Sequence, residues 1–494
     1  MSPAWFQDKK VTVMGLGLHG GGLGVAKWLR RRGAIVTVTD LKDRFALTKP
    51  IEELERGFLQ DRQTLGKGKV HRVRYVLGRH DPADFVSADL VIQNPGVPRE
   101  HPYLALAAMS GAAVDTDIGL FFKLCPSAIA GVTGTKGKTT STSLLVEMCR
   151  KRDPRTVVAG NIRVSPLDEL DALVKLERRA PPVVLELSSW QLEGLERHGV
   201  SPRLAVITNV MEDHLNRYCG MDDYARAKEL IVAFQSAGDI AVLNADDARV
   251  RDIGTRAKAK VVWFGRQPYG DGDACFLRDN KIVVRQRGSE RVVAAVADIR
   301  VPGEHNVMNV LAAVAAGASL GVPDAALRSV IRAFKGVAGR LETVAVKGGV
   351  RYVNDTAATA PDASVAALRA LGGRSKNVIL ISGGNDKELH FEDWAAEVKL
   401  AAKKVILFDG TATPKMEAAF RIAGVRAAVS RVSSMPEAVR LAAKAAKKGD
   451  IVLLSPGCAS FGLFVNEFDR GDQFVAEVKK NSAAKKTKTA KMAR

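Results

Sequence analysis

A run of glycine, lysine and threonine residues at 131–140 has the residue types and spacing needed to bind a phosphate chain. It reads GVTGTKGKTT and lies between an apolar run, 127–130, and a helix-like stretch, 141–150. In such a loop the backbone N–H groups and the helix dipole attract phosphate oxygens, Lys138 reaches the outer phosphates, and a threonine hydroxyl binds Mg²⁺. A glycine-rich turn without a ligand would need the glycines but not the lysine and threonines. We therefore predict a P-loop for a nucleoside triphosphate, with a shortened glycine spacing.

Residues at the ends of the next two strands predict a metal site beside this loop. An apolar strand, 182–185, ends at Glu186, where P-loop enzymes place a carboxylate that binds Mg²⁺. A second strand, 204–208, leads into an acidic turn that contains His214. An imidazole at this place is either structural or a metal ligand, and the chemistry alone leaves both open. Lys228, on the following helix-like segment, is by its spacing a solvated lysine.

A glycine-rich turn near the N-terminus predicts a second nucleotide site. It follows a strand at 10–14, carries the run GLGLHGGG at 15–22, and leads into a helix that ends near residue 32. A further strand at 34–39 ends at Asp40, which completes the strand, helix and acid of a dinucleotide fingerprint. Close packing of a helix on a strand would also explain the glycines. The acid favours a nucleotide or a nucleotide sugar.

Other turns at strand ends carry polar residues of the kind that line ligand crevices in open α/β sheets. One follows the strand at 88–92, and three more lie in the last third of the chain, at 354–362, 382–387 and 455–461. The run GEHN at 303–306 begins a helix at 310–320, and its side chains either cap that helix or contact an anion or a base. Strands alternate with helices throughout, which predicts doubly wound parallel sheets.

Length and composition predict a globular protein of several domains. The chain has 494 residues, too many for one core, of which 46% are apolar and 26% charged. No apolar run is long enough to span a membrane, and the first residues lack the apolar region of a signal peptide. Five scattered cysteines form no CxxC pair, which suits a reducing compartment. We therefore expect a cytoplasmic protein without a membrane partner.

The formal net charge of +20 fits a nucleic-acid partner, an acidic substrate or a basic proteome. Part of the charge lies in the tail, 479–494, which lacks apolar periodicity and is predicted to be disordered. The remaining basic residues are not interleaved with aromatic ones, so specific nucleic-acid binding is not expected. A nucleic-acid-associated P-loop ATPase stays open as a different function. An NAD-dependent enzyme is a further alternative, but no hydride-transfer partner is recognisable.

Taken in order, these motifs resemble those of the Mur ligase family. The resemblance runs from about residue 10 to residue 475. It rests on GLG at 15–17, NPGV at 94–97, TGTKGKTT at 133–140, ELSSWQLE at 186–193, NVMEDH at 209–214, GEHN at 303–306, NDT at 354–356, GGNDK at 383–387 and LLSPGCAS at 453–460. The runs at 186–193 and 453–460 are most similar to the branch of the family that adds D-glutamate.

The predicted fold class is α/β with three domains. We expect a Rossmann-like N-terminal domain at 1–124, a central P-loop ATPase-type α/β domain at 125–335 and a Rossmann-like, doubly wound C-terminal domain at 336–478, followed by the basic tail at 479–494. The resemblance implies that the first domain binds a UDP-sugar, the second ATP and the third an amino acid.

The resemblance further implies an ATP-dependent amide ligase of cytoplasmic peptidoglycan precursor synthesis, and hence a role in cell-wall biogenesis, cell shape and cell division. ATP would phosphorylate the terminal carboxylate of UDP-N-acetylmuramoyl-L-alanine, and the amine of D-glutamate would then displace phosphate from the acyl phosphate. Such phosphoryl transfer depends on positioning and on neutralisation of charge. Another acceptor, such as L-glutamate, stays open. The expected partners are these small molecules, and a monomer is expected.

The resemblance also implies roles for single residues. The implied catalytic residues are Lys138, Glu186, His214 and Lys228. The implied ATP-binding residues are Gly134, Thr135, Lys136, Gly137, Lys138, Thr139, Thr140, Asn306, Asn309, Arg340 and Asp355. The implied UDP-sugar-binding residues are Leu18, His19, Asp40, Asn94, Gly96 and Asn161. The implied amino-acid-binding residues are Thr359, Lys387, Ser460 and Phe461.

Two Mg²⁺ ions are implied as cofactors, with ligands from Thr139, Glu186, His214 and Lys228. Lys228 lies where the family carries a carbamylated lysine, and carbamylation would turn this cation into an anion that binds the second ion. Three positions depart from the family pattern: Lys136 and Ala357, where asparagine and lysine are usual, and Phe468, where the expected aromatic is displaced. The last two concern the amino-acid pocket and therefore the identity of the acceptor.

Overall fold

The structure is a computed structural model of the chain. It describes residues 3–17, 21–66, 69–162, 164–213, 217–372, 375–386, 389–460 and 462–492, without the side chains of 178 and 481–492. Five predicted site residues lie outside the described residues: Leu18, His19, His214, Lys387 and Phe461. The chain divides into two compact units, Met1–Arg300 with Glu304–Phe334, and Val301–Gly303 with Lys335–Arg494.

The first unit contains fourteen strands among its described residues. They are β1 (Lys10–Met14), β2 (Ile35–Asp40), β3 (Arg74–Leu77), β4 (Leu90–Gln93), β5 (Ala113–Asp115), β6 (Ile129–Thr133), β7 (Val157–Gly160), β8 (Val183–Glu186), β9 (Leu204–Ile207), β10 (Ile240–Asn244), β11 (Lys260–Gly265), β12 (Ala274–Arg278), β13 (Lys281–Gln286) and β14 (Ser289–Ala295).

Its helices are α1 (Gly21–Arg31), α2 (Thr48–Leu65), α3 (Pro82–Val86), α4 (Pro102–Met109), α5 (Asp117–Leu124), α6 (Lys138–Arg150), α7 (Pro166–Leu176), α8 (Ser189–Glu196), α9 (Met221–Ala233), α10 (Ala248–Arg256), α11 (Glu304–Ser319) and α12 (Asp324–Ala333). Short 3-10 helices cover Pro3–Phe6, Glu177–Arg179 and Val296–Asp298.

The first sheet has the order β3-β2-β1-β4-β5, and its described pairings are parallel. The chain leaves β1 toward β2 on one side and reaches β4 on the other. The order therefore reverses between β1 and β4, which opens a crevice at their carboxyl ends. Gly15 and Asn94, the first residues after these two strands, lie at that crevice.

The second sheet has the order β14-β13-β12-β11-β10-β9-β6-β8-β7. Its strands are parallel from β7 to β12, whereas β13 and β14 are antiparallel. The strands β6, β8 and β9 are buried throughout, as expected for central parallel strands covered on both faces. Since β6 lies between β8 and β9, the turns that follow these three strands meet at one edge of the sheet.

Helices cover both faces of this second sheet. Leu144 of α6 and a row of alanines in α11 belong to the core cluster on one face, and the alanines let α11 approach closely. Leu192 of α8 and Ile231 of α9 belong to the cluster on the other face. The four helices α6, α8, α9 and α11 therefore frame the edge where the three turns meet.

Direct contacts join the two sheets of the first unit. Trp28 Nε1 donates to Asp171 Oδ1 at 2.8 Å, and Arg32 pairs with the same carboxylate. A second contact centres on Asp115, which accepts from Lys123 Nζ and pairs with His198 Nε2, both at 2.8 Å. The two sheets share one core cluster, so this unit is a single compact body.

Gly119 of α5 lies directly against the acid–histidine contact. A Cβ atom at this position would overlap Asp115 Oδ1 and lie 2.8 Å from His198 Nε2. The absence of a side chain at 119 is therefore what lets Asp115 and His198 meet.

The second unit contains β15 (Glu342–Lys347), β16 (Val350–Asn354), β17 (Val378–Gly383), β18 (Ala402–Phe408), β19 (Ala428–Val432) and β20 (Ile451–Leu454), with helices α13 (Pro361–Leu371), α14 (Glu392–Ala401), α15 (Thr413–Ala423), α16 (Met435–Ala445) and α17 (Glu467–Met492). The sheet order is β15-β16-β20-β17-β18-β19, parallel except for the edge strand β15. Alternate residues of β17 enter two core clusters on opposite faces, so the sheet is doubly wound.

The final helix, α17, is assigned as far as Met492 and so extends into the basic tail. The disorder expected for 479–494 stays a prediction. The first half of the helix is fixed by Phe474 and Val478, which are fully buried in the core of the second unit. The alanines and lysines that follow have high helix propensity and can extend a helix that is already nucleated. The domain bounds expected from the sequence stay predictions.

No helix in the described part of the chain is long and apolar enough to cross a membrane.

Candidate active site

The P-loop follows β6 and needs its glycines. Gly134 and Gly137 have φ angles of +147° and +83°, which side chains rarely adopt. A Cβ atom on Gly134 would also overlap Thr208 Oγ1, and one on Gly137 would overlap Asn309 Oδ1. Gly137 is the N-cap of α6, so the first N–H groups of this 13-residue helix face the concave side of the loop. The loop therefore has the shape predicted for a phosphate site.

The lysines and threonines of this loop lie where the motif predicts. Lys138 is half-buried, and its Nζ donates to the backbone oxygens of Gly134 and Thr135, each at 2.9 Å. Lys136 is exposed, and its backbone N donates to Asn209 Oδ1 at 2.8 Å. Thr139 and Thr140 are half-buried in the first turn of α6. Lys138 thus lies within the loop, while Lys136 lies at its rim.

Glu186 ends β8 next to the P-loop strand, and one of its oxygens has no partner. The backbone N–H of Leu187 donates to Val132 O at 2.9 Å, which fixes the end of β8 against β6. Glu186 Oε1 accepts from Asn161 Nδ2 at 2.9 Å. Oε2 is buried and has no hydrogen-bond partner among the described residues. A buried carboxylate oxygen without a donor is costly unless a cation or water satisfies it, so this position fits a Mg²⁺ ligand.

Asn161 is held against Glu186 by the backbone as well as by its amide. Its N–H donates to Glu186 O at 2.9 Å. Gly160, with a φ of +101°, makes this approach possible because a Cβ atom there would overlap the same oxygen. Asn161 was predicted to bind the UDP-sugar. The structure places its amide on the predicted metal ligand.

Lys228 is buried, contrary to the solvated position that its spacing indicates. Its side chain is 1% exposed, and Nζ donates to Gly134 O at 2.9 Å. Burial, with a further contribution from the charge of Lys138, lowers the pKa of Lys228 well below its usual value, against the opposing effect of Asp213. A lowered pKa favours the neutral amine, which is the form that reacts with carbon dioxide. Spacing alone misses this because burial comes from the packing of α9 on the P-loop.

The asparagines at the start of α11 lie beside the P-loop. Asn309 is buried, and its Nδ2 donates to Asn306 Oδ1 at 3.1 Å. Ser141 of α6 donates to Asn309 O at 3.4 Å. Both asparagines therefore lie beside the P-loop, and their contact with the nucleotide stays a prediction.

The glycine turn of the first sheet is held in place by two predicted residues. Asp40 Oδ2 accepts from the N–H groups of Leu16 and Gly17 at 2.9 and 3.2 Å, and its Oδ1 accepts from Lys42 N at 2.9 Å. Asn94 Nδ2 donates to Gly15 O at 3.2 Å, and Gly96 N donates back to Asn94 Oδ1 at 3.0 Å. In this structure both side chains shape the turn and the crevice beside it.

A narrow cleft, without room for a water molecule, lies at this crevice. It is lined by residues of the glycine turn and of the turn after β4, and by Asp117 at the start of α5. Burial raises the pKa of Asp117 to about 6. The nucleotide sugar is predicted to bind beside these turns.

The second unit brings its own predicted residues together at the carboxyl ends of β16 and β20. Gly457 N donates to Ala358 O at 2.8 Å, which joins the turn of Thr359 to the turn of Ser460. Asp355 Oδ2 accepts from Ser455 Oγ at 2.8 Å, and burial raises the pKa of Asp355 to about 7. Thr359 is half-buried, Ser460 is buried and Arg340 is exposed. These turns form a second candidate site within that unit.

Several buried residues beside these groups are not among the predicted site residues. Arg470 donates to Thr356 O at 2.9 Å and to Cys458 O at 3.3 Å, and so links the same two turns. Three further buried residues lie where α8, α9 and the P-loop meet: Glu193 of α8, Tyr224 of α9, and Tyr218, which precedes α9. A charged residue that stands among apolar residues of a helix, as Glu193 does, can signal a buried charge. The sequence does not show its partners, because they lie far away along the chain.

The predicted metal ligands differ in what the described residues show of them. Within those ranges, no group of three or more His, Cys, Asp or Glu side chains could hold a metal ion. Two of the predicted ligands, Thr139 and Lys228, are of other types, and His214 is not described. The unpartnered Glu186 Oε2 is thus the observation that supports a cation.

Three family models match consecutive parts of the chain. The Mur ligase MurD-like N-terminal domain matches residues 9–115, the Mur ligase middle domain 132–317, and the Mur ligase glutamate ligase domain 339–458. The chain is also 44% identical to the UDP-N-acetylmuramoylalanine–D-glutamate ligase of Roseiflexus sp. (strain RS-1), over 94% of this chain and 97% of the relative. The chain belongs to the Mur ligase family. This confirms the predicted family, the α/β fold with three domains and the ligase class.

Other comparisons agree with this family assignment. The UDP-N-acetylmuramoylalanine–D-glutamate ligase of Symbiobacterium thermophilum is 39% identical, over 94% of this chain and 97% of the relative. The crystal structure of the UDP-N-acetylmuramate–alanine ligase MurC from Thermotoga maritima aligns with a TM-score of 0.61 over 96% of this chain and 100% of that one. At 20% identity, the second similarity shows the Mur ligase fold alone.

Proposed function

We propose that this Mur ligase joins D-glutamate to UDP-N-acetylmuramoyl-L-alanine with hydrolysis of ATP, in the cytoplasmic synthesis of peptidoglycan precursors. The observation that carries the chemistry is the unpartnered Glu186 Oε2 beside a preformed P-loop. The identity of the substrates is supported by full-length relatives that carry this name. The enzyme acts on small molecules, and we expect it to be a monomer.

The P-loop residues bind the triphosphate in this proposal. The N–H groups at the start of α6 donate to phosphate oxygens, and Gly134 and Gly137 let the backbone approach them. Lys138 Nζ exchanges its two carbonyl partners for β- and γ-phosphate oxygens. Asn306, Asn309, Arg340 and Asp355 are proposed to contact the nucleotide. Positioning and charge neutralisation are the main contributions of the protein to the transfer.

Four residues fit a role around two Mg²⁺ ions. Glu186 offers a buried oxygen that lacks a donor, and Thr139 offers a hydroxyl on the first helical turn. His214 and a carbamylated Lys228 complete the proposed set. Bound Mg²⁺ would neutralise charge on the phosphates during transfer.

Lys228 can form the carbamate without help from a second protein. Its neutral amine nitrogen attacks the carbon of CO₂, a C–N bond forms, and one proton leaves to solvent. The product carries a negative charge where the lysine carried a positive one. The buried position of Lys228 supports this reaction because burial favours the neutral amine.

The ligation then proceeds in two displacements. The terminal carboxylate of UDP-N-acetylmuramoyl-L-alanine attacks the γ-phosphorus of ATP, which gives an acyl phosphate and ADP. The amine of glutamate attacks the acyl carbon, and the tetrahedral intermediate collapses to the amide and phosphate. Asp40, Asn94, Gly96, Asn161, Leu18 and His19 are proposed for the UDP-sugar, and Thr359, Lys387, Ser460 and Phe461 for the two carboxylates of glutamate.

A panel of amino-acid acceptors tests the proposal. We expect phosphate release that requires ATP, UDP-N-acetylmuramoyl-L-alanine and D-glutamate together, with the dipeptide product confirmed by mass spectrometry. L-Glutamate, D-aspartate and no acceptor are run in parallel. Equal release with D-glutamate and without any amino acid would contradict the proposal.

The alternative acceptor is L-glutamate. Ala357 stands in the turn after β16 where the family pattern has a lysine, so the proposed pocket differs from that pattern at a residue near the acceptor. Faster release with L-glutamate than with D-glutamate would establish this alternative and would leave the ligase chemistry intact.

A further inference from the structure

Glu193 of α8 is buried, and each of its two oxygens accepts from the segment that follows β9. Tyr218 Oη donates to Oε1 at 2.6 Å, and Arg217 Nη2 donates to Oε2 at 3.0 Å. The residue is 8% exposed, and its carboxylate needs such donors because a buried charge without partners is strongly destabilising. Two bonds from consecutive residues fix both the position and the rotation of the chain at 217–218.

The same residues contact groups that the proposed reaction uses. The ring of Tyr218 lies 5.2 Å from that of Tyr224, centroid to centroid. Thr135 Oγ1, in the P-loop, donates to Tyr224 Oη at 3.3 Å. Lys228 Nζ lies 4.5 Å from the centre of the Tyr224 ring. A continuous path of contacts therefore leads from Glu193 to the P-loop and to Lys228.

The other end of the segment is fixed to the P-loop as well. Met211 N donates to Thr135 Oγ1 at 3.0 Å, and Thr135 N donates to Asn209 O at 3.0 Å. Residues 209–211 are thus held by the P-loop, and residues 217–218 are held by Glu193. In the sequence, His214 lies between these two attachments.

We propose that Glu193 is a positioning residue of the ligation reaction, acting through Tyr218 and Tyr224 on the buried Lys228. The inference rests on the proposed function, because the placement of Lys228 matters only if its carbamate takes part in the transfer. Glu193 and Arg217 form a neutral pair, so they hold the chain at 217–218 without adding net charge near the phosphates.

Substitutions at Glu193 and Tyr218 test this role against a matched control. Glu193→Ala should lower kcat by about ten- to a hundredfold, since small displacements of reacting groups cost this much. Tyr218→Phe should lower kcat by less, and Glu193→Gln should retain part of the rate. ATP affinity, measured by calorimetric titration, should change by less than about threefold because the P-loop itself is unaltered.

The control is Thr12→Val, which removes another buried hydrogen bond, from Thr12 Oγ1 to Asp84 O at 2.7 Å, far from the P-loop in sequence. Its kcat should stay at the wild-type value. If the Glu193 and Thr12 variants lose activity only in proportion to their loss of thermal stability, the positioning role is overturned.

A double-mutant cycle gives a second, independent outcome. If Glu193 acts through Tyr218, the double variant Glu193→Ala with Tyr218→Phe should have the kcat of Glu193→Ala alone. If the reduction of kcat in the double variant equals the product of the two single reductions, the two residues act separately, which would contradict the proposal.

Hydrogen exchange separates this inference from the proposed function. In Glu193→Ala the amides of 209–218 should exchange faster than in the wild type, while Thr12→Val should leave them unchanged. Unchanged exchange in Glu193→Ala overturns the anchoring. A wild-type enzyme that fails to join the two substrates would instead overturn the proposed function, whatever the exchange result.

Discussion

Lys138 and Lys151 lie at opposite ends of α6, which makes them a matched pair for testing the P-loop. Lys138 lies in the concave loop, whereas Lys151 is exposed at the far end of the helix. We expect Lys138→Ala to lower kcat for ATP-dependent ligation by about 10²- to 10³-fold, because a group that stabilises transferred charge is lost. Lys151→Ala should retain the wild-type rate. Steady-state kinetics of phosphate release checks both, and equal rates for the two variants would refute the P-loop assignment.

Lys228 offers a test of the carbamate. Lys228→Ala should abolish most turnover, and short-chain carboxylates added to the assay should restore part of it by supplying the missing anion. The same carboxylates should not restore Lys138→Ala, which lacks a cation. Full activity of Lys228→Ala without any additive would remove Lys228 from the proposed site.

Asp355 predicts a pH dependence of stability. Burial raises its pKa from 3.8 to about 7, so the folded state binds the proton more tightly than the unfolded state does. The buried carboxyl therefore costs little below pH 3.8, destabilises the fold progressively between pH 3.8 and about 7, and keeps its full cost above that. Asp355→Asn, which is neutral at every pH, should raise the melting temperature at pH 8 by at least about 3 °C and leave it nearly unchanged at pH 4. Calorimetry without ligands at the two pH values decides; a larger gain at pH 4 would contradict it.

Residue types at strand ends were predictable from the sequence, but their partners were not. Glu186 follows an apolar run, so its place at the carboxyl end of a buried strand can be predicted from neighbouring residues alone. Its bond to Asn161 depends on the pairing of β7 with β8, which the sequence does not specify. Lys228 shows the limit most clearly, since its burial arises from helix packing and reverses the expectation drawn from spacing.

At the level of elements, the turn from β6 into α6 predicts a strict requirement for glycine at 137. Gly137→Ala would meet both the strained φ of +83° and an overlap with Asn309 Oδ1. We expect ATP affinity to weaken by more than about tenfold.

Gly111→Ala is the control for this turn. Gly111 has a φ of +87° with open space where its Cβ would lie, so the change brings backbone strain without an overlap. It should lower thermal stability slightly and leave ATP affinity unaltered. Equal ATP affinities for the two alanine variants, measured by calorimetric titration, would show that the overlap with Asn309 is tolerated.

The elements themselves were predictable to different degrees. The strands β1, β2, β6, β8 and β9 were expected because each is an apolar run that ends in a polar turn. The antiparallel strands β13 and β14 were not among the predicted strands, since both carry charged residues and neither ends in a polar turn of the kind used to find the others. The helix α2 was not expected because its residues are largely polar and only Ile51 and Leu54 are buried.

At the scale of the whole molecule, the bonds of Asp171 help to join the two layers of the first unit. Asp171 lies in α7, beside the second sheet. It accepts from Trp28 Nε1 and pairs with Arg32, in and just after α1 on the first sheet. Asp171→Ala should lower the free energy of unfolding by about 1–3 kcal/mol, because a buried indole N–H loses its partner. Asp252→Ala, which removes an exposed pair with Arg256, should cost less than about 1 kcal/mol. Urea denaturation measures both, and equal values would contradict the prediction.

The contact at Gly119 has a consequence for how this enzyme can change during descent. A residue with a Cβ atom at 119 cannot coexist with Asp115 and His198 in their present positions. Lineages that acquire a larger residue at 119 must first lose or relocate the histidine, whereas lineages that keep the pair are confined to glycine. Substitutions at these positions should therefore be inherited together, and an ancestral sequence that combines a bulky residue at 119 with the acid and the histidine should lack the Asp115–His198 contact.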